Sequence, residues 1–435
     1  MSIIILLILN FFFFQIGKKI FEYWFNPITI YVFVWTGLIS LYELKLLKYY
    51  DLSIEAWFVI FLAFCSFVFG IFIFYYASRD KEVSFRTSKI GIKELFENPR
   101  LIKFLILSTG LISLLSSLQN WYILLQEYDT LTNILLSAAE IYKKRVDGEI
   151  KGVIPYTWAF GFVSIFFSAI WSAKTNRFSL LTIFPIIAII LKDLAMIARS
   201  NILFAFLEFI TVFFLVRLYF NKNHILVRKF DRKNLLIGGF LLIFLVIGSA
   251  TLVRSVKGTV ESFKASTNTL SKIRGGIVIT PSLYLYLSAH VGVLNKYLLV
   301  NEEQDETMFG QNSFESVYNI LSKFNLTKDP TSYQRGYYIP MWTNTGTYIR
   351  EIHADFGILG VTIVPFLLGL SSIYLWKKFL LLGDLFSLNL LIHIILIIWF
   401  SFLVMITRQG AWFISIIVTS VLLSFISGYF KKKES

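Results

Sequence analysis

The chain has 435 residues, of which 56% are hydrophobic and only 16% charged, with a formal net charge of +14. A soluble domain carries about 25% charged residues, whereas here several uncharged runs approach the ~20 residues with which a helix spans a bilayer; the runs are continuous and do not alternate, which argues against a β-barrel. The positive charge does not point to nucleic acid, because lysines and arginines gather in short loops between apolar runs, as the positive-inside rule expects, and the one cysteine, Cys65, leaves no intrachain disulfide or cysteine metal site.

The expected fold class is therefore all-α, a polytopic integral membrane protein. The first span is Ile3 to Ile16, followed by Lys18 and Lys19. It lacks a basic leader and a small-residue cleavage site, so it reads as a retained span and not a signal peptide. Further spans are expected at Ile28–Leu41, entered through Asn26 and Pro27, at Ala56–Tyr76 and at Phe104–Leu125. The segment Tyr128–Lys151 mixes leucines with Glu140, Lys143, Lys144 and Arg145 and reads as an amphipathic helix in the membrane interface. Spans five to eight are Ile154–Ala173, Phe178–Leu191, Ile202–Phe220 and Leu235–Val253. A hydrophilic insertion runs from Arg254 to about Ala354. Spans nine to eleven are Phe356–Trp376, with Pro365 as an expected kink, Phe386–Ile406 and Ala411–Tyr429.

Three regions follow: residues 1–253 with eight spans, 254–354 as one large extracytoplasmic loop, and 355–435 with three spans. With eleven spans, the basic groups at Lys18, Arg79–Lys103, Lys174, Lys222–Lys233, Lys377 and Lys431 all fall on one side, the cytoplasm. The amino terminus is then outside and the carboxyl terminus inside. No internal repeat is evident, which disfavours transporters built from inverted halves.

The chemistry concentrates in Tyr333–Gly360, YQRGYYIPMWTNTGTYIREIHADFGILG, a polar and aromatic stretch that turns directly into an apolar run. Ionisable groups at such a place are costly unless they have work to do. The outer face also collects Arg199, Arg254, Arg274, Arg335, Arg350 and Arg408, where the positive-inside rule expects few. Arginine stays charged and presents a planar fork matched to phosphate oxygens. A lipid-linked phosphate or pyrophosphate fits such a set; pairing with Glu261, Glu351, Asp355 or lipid headgroups would also satisfy it. Beyond Thr347 a helix is expected, with Thr347, Glu351 and Asp355 on one face and Arg350 and His353 on a neighbouring one. Gly357 and Gly360 would admit a second helix closely. Trp342, Tyr333, Tyr337, Tyr338 and Tyr348 suit either sugar stacking or the interfacial aromatic belt. Residues 277–299, with Tyr284, Tyr286, His290 and Tyr297, suit an amphipathic or re-entrant helix flooring a cavity. No nucleotide, zinc or dinucleotide fingerprint occurs, so any reaction would use an already activated substrate.

The many spans, the large loop after the eighth, WTNTGTYIREIHADFGILG entering a span, FNPITIYVFVW and MIARSNILF together resemble the Wzy-type oligosaccharide repeat-unit polymerases of O-antigen and capsule synthesis. Arg335 is followed eleven residues later by Gly346, similar to an arginine-x10-glycine element of that family; eleven residues beyond Arg254 stands Ala265, so a second copy is lacking. The resemblance implies a metal-independent, cofactor-free glycosyltransferase in the bacterial cytoplasmic (inner) membrane, its site facing outward. It would act on undecaprenyl-pyrophosphate-linked oligosaccharide among membrane lipids, beside a flippase and a chain-length regulator of the same pathway. The arginines would bind pyrophosphate, and one of Glu351, His353 and Asp355 would take the acceptor hydroxyl proton. An O-antigen ligase, or a flippase or transporter of the same lipid-linked glycan, are the alternatives. A flippase would need cations along a path through the membrane, whereas these sit at one face.

Overall fold

The computed structural model describes residues 3–79, 90–146, 156–198, 200–225, 267–268, 271, 281–300, 309–330, 335–343 and 346–434. Expected span eight (235–253), Tyr333, Arg199, Arg254 and Arg274 lie outside the described residues. The protein is helical, and among the described residues five helices are long and apolar enough to cross a membrane: Ile54–Ala77, Pro99–Tyr128, Ser200–Lys222, Tyr348–Leu382 and Gly410–Phe430. Pro27–Glu43 and Leu385–Phe400 are shorter and apolar. The chain divides into two compact units, one of Met1–Phe85, Val260–Leu375 and Ile394–Phe413, the other of Arg86–Thr259, Trp376–His393 and Ile414–Ser435.

In the first unit lie α1 (Ile3–Phe21), α2 (Pro27–Glu43) and α3 (Ile54–Ala77). The α1–α2 turn is built by FNP: Asn26 Oδ1 accepts from Thr29 N at 3.0 Å and Pro27 opens α2, where a missing N–H costs nothing. Ser53 caps α3 through Ala56 N. In the second unit, α4 (Ile92–Glu97) precedes α5 (Pro99–Tyr128). The expected amphipathic helix is two short ones, α6 (Leu131–Leu136) and α7 (Ala138–Val146). Ile134, Ala138 and Ile141 pack with Leu124, Ala195 and Ile197, while Leu131, Leu135 and Leu136 are exposed. Then come α8 (Phe160–Thr175), which starts after a 3-10 turn at Thr157–Ala159, α9 (Leu180–Ala195) and α10 (Ser200–Lys222). Small hydroxyls join them: Ser164 donates to Ile106 O at 2.7 Å and Ser117 to Ala188 O at 2.8 Å. Asp193, fully buried, caps α10 through Ile202 N.

The first unit resumes with α11 (Pro281–Leu299), α12 (Gln311–Lys323) and a two-residue hairpin, β1 (Tyr337–Tyr338) and β2 (Trp342–Thr343). Residues 281–299 are thus helical, tied to the α2–α3 loop by Asn295 Oδ1 with Ser53 N (2.8 Å) and by Tyr49 with Ser288 (2.7 Å). The helix α13 (Tyr348–Leu382) is 35 residues long and begins eight residues before the expected span nine. Its only non-helical backbone angles are at Gly357 (φ 61°, ψ −152°), not at Pro365. This is a conformation reserved for glycine, so the break falls where the polar sequence gives way to the apolar. Among the described residues Gly357 has no neighbour that a side chain would meet, and a Cβ at Gly360 would meet Ile352 O and Phe356 Cβ of its own helix. Among the described residues, these two glycines meet no second helix. Close approach happens elsewhere, at Gly70 of α3 against Phe366 O and Gly369 of α13 against Phe67 O.

The expected span ten also changes. The helix α14 (Leu385–Phe400) stops six residues early, and Ile406–Arg408 form a 3-10 turn before α15 (Gly410–Glu434). Residues 401–405 leave the helical ladder because their backbone is claimed from outside it: Ser401 O accepts from Tyr348 N at 2.9 Å and Met405 N donates to Glu351 Oε2 at 2.6 Å.

Candidate functional site

The site is the first two turns of α13. Thr347 starts them, its Oγ1 accepting from Arg350 N at 3.2 Å and its carbonyl from Glu351 N at 3.2 Å. Tyr348 is locked by a 2.7 Å hydroxyl contact with Tyr31, and Trp35 Nε1 donates to Ser401 Oγ at 2.9 Å. Both ends of this polar seam are buried, so the residues that follow have little freedom.

The two faces expected for the helix have separate partners. On one face Glu351 is 2% exposed. Its Oε2 accepts from Met405 N, and its Oε1 lies 3.3 Å from Arg408 Nη1. Arg408 Nε is 2.7 Å from Glu315 Oε2, so one arginine bridges acids on α12 and α13. Burial pushes the Glu315 carboxyl above its usual range, and Arg408 beside it opposes that shift. One turn on, Asp355 accepts from Asn312 N (3.0 Å), Asn312 Nδ2 (2.9 Å) and Ser313 N (2.7 Å). It satisfies donors at the start of α12 that would otherwise be orphaned. Two further bonds seat α12 on the 3-10 turn, Ser316 Oγ to Arg408 O and Thr407 Oγ1 to Ser313 O.

On the other face, Arg350 is 3% exposed. Its guanidinium stands 5.3 Å from the ring centre of Tyr297 and 5.1 Å from that of Tyr337, and Nη2 donates to Arg335 O at 2.6 Å. Among the described residues Nη1 finds no acceptor. A buried cationic donor without an acceptor costs free energy, and an anion is the ligand that would remove the cost. His353, half-buried, places Nδ1 3.0 Å from the Tyr297 hydroxyl.

The structure therefore gathers Glu351, Arg350, His353, Asp355, Arg335 and Arg408 in one place, with different employments. Arg408 is committed to two carboxylates, and Asp355 to a helix start. Arg335 reaches Arg350 through its backbone carbonyl, with its own residue exposed. One member, Glu315, was not foreseen, and Tyr297 was expected only within a helix flooring a cavity. Glu315 stands 93 residues from Arg408, in a segment where one acid among polar residues gives no signal. Tyr297 is one tyrosine of 22.

No family model matches the chain, and no curated protein and no solved structure matches it.

Proposed function

We propose that the protein polymerises lipid-pyrophosphate-linked oligosaccharide repeat units, as a Wzy-type polymerase does, in the bacterial inner membrane with the start of α13 facing outward. The topology that goes with this has eleven spans and an external loop over 254–354. The observation that carries the reading is Arg350: a buried guanidinium whose Nη1 has no partner among the described residues, on the same helix face as His353, at the point where a polar segment becomes a membrane-length helix.

In the reaction, the acceptor sugar hydroxyl attacks the anomeric carbon of the donor glycan. A new carbon–oxygen bond forms, the bond from that carbon to the pyrophosphate oxygen breaks, and the lipid pyrophosphate leaves with the electron pair. Arg350 would sit against the phosphate oxygens and stabilise the charge growing on them. Arg335, Arg199, Arg254 and Arg274 are further candidates for that role. His353 would take the hydroxyl proton, since Glu351 and Asp355 are already engaged by fixed donors.

The test is synthesis of polymer from purified lipid-linked repeat units by the purified protein in nanodiscs. Long product is expected from the parent and none from His353→Gln with an unchanged melting profile. Transfer of finished polymer onto a lipid core, without lengthening, would replace this reading with a ligase.

A further inference from the structure

We propose that Tyr297 is a positioning residue that serves both halves of the reaction with different parts of one side chain. It rests on the polymerase reading for its kinetic consequences only. The phenol oxygen is 3.0 Å from His353 Nδ1, and the ring of the same residue lies 5.3 Å under the Arg350 guanidinium. Tyr297 is 7% exposed on α11, and His353 also meets its ring edge-on, centroids 5.6 Å apart at 87°. α11 is itself held by Asn295 and Ser288 against the α2–α3 loop. The tyrosine is thus a fixed post between the residue that takes the proton and the residue that holds the anion.

Which nitrogen of a histidine is free is decided by the hydrogen bond the other makes. With Nδ1–H donating to the phenol oxygen, the lone pair is on Nε2, the nitrogen not engaged by Tyr297. Without that acceptor a neutral imidazole favours its proton on Nε2, which removes the basic site. The ring contributes separately, because a tyrosine face attracts a guanidinium and keeps its plane oriented.

Hydroxyl and ring can be removed one at a time. Tyr297→Phe keeps the face under Arg350 and deletes only the oxygen. It is expected to lower kcat for polymerisation by about tenfold or more, a part of the roughly 10²–10⁴-fold that a positioned base contributes, with KM for the lipid-linked donor unchanged. Tyr297→Leu removes both and is expected to raise KM as well. A second readout does not need turnover: nitrogen NMR of histidine-labelled protein, which has four histidines, with His353 assigned by its loss in His353→Gln. The parent should show the Nδ1–H form and Tyr297→Phe a shift toward Nε2–H. If parent and Tyr297→Phe give the same histidine spectrum, or the same kcat in a polymerising preparation, Tyr297 does not position His353. If the spectrum shifts but no preparation polymerises, the polymerase reading fails and the positioning stands.

Discussion

At the scale of single residues, the acids of the site differ in what their loss should do. Glu351 holds a backbone amide and one side of the Arg408 guanidinium, so Glu351→Gln should destabilise the protein by about 2 kcal/mol, as expected for bonds made to a charged group. Arg408→Met leaves the buried Glu351 and the largely buried Glu315 with no cation between them, and should cost more, about 3 kcal/mol. Asp355→Asn replaces an acceptor at the start of α12 with a donor facing a donor, and should cost about 1 kcal/mol. Each is read as a drop in melting temperature of detergent-solubilised protein. Arg408→Met no worse than Glu351→Gln would show that Glu315 does not depend on Arg408. Much of this cluster stands out in the sequence, since charges beside an apolar run are conspicuous. Their division of labour does not: the sequence puts Glu351 and His353 ahead of Asp355 as bases, and only the fold, by bringing Met405 to Glu351 and Tyr297 to His353, tells those two apart.

At the scale of elements, hydrophobic runs identified helices well and their ends poorly. Apolar length marks Ile54–Ala77 and Ser200–Lys222 within two residues of the expected spans. It misplaces the end of α14, because Ser401 to Met405 are apolar enough to continue a helix and are stopped only by bonds to Tyr348 and Glu351. Proline at 365 is a visible helix breaker, yet the break is at Gly357, whose need for glycine lies in its backbone angles. Two alanine substitutions separate the uses of glycine in α13. Gly357→Ala meets open space but a forbidden backbone, and should cost about 1–3 kcal/mol through strain alone. Gly369→Ala keeps an ordinary helical backbone but drives a methyl into Phe67 O of α3, so its penalty should be relieved by any change that lets α3 move. Stability of Gly357→Ala equal to the parent would mean that the break at this position is not required.

At the scale of the whole molecule, the proposed outward-facing site carries a prediction about topology. The bonds of Asp355, Ser316 and Thr407 place α12, the 3-10 turn and the start of α13 together. From Ile358 to Leu382 the same helix continues for about 37 Å at 1.5 Å per residue, more than the ~30 Å hydrocarbon core, so its two ends belong on opposite sides if it spans. On the proposed topology the basic residues set the direction: Lys377 and Lys378 sit near the far end, and positive loops are expected to face the cytoplasm. Reporter fusions at Lys323, at the end of α12, should therefore give a periplasmic signal, and fusions at Lys378, Lys89 and Lys229 a cytoplasmic one. The same side for Lys323 and Lys378 would mean that α13 does not cross the membrane. Opposite sides with the signs reversed would keep the fold but put Arg350 and His353 in the cytoplasm, where a glycan already exported could not reach them, and the polymerase reading would fall with the topology.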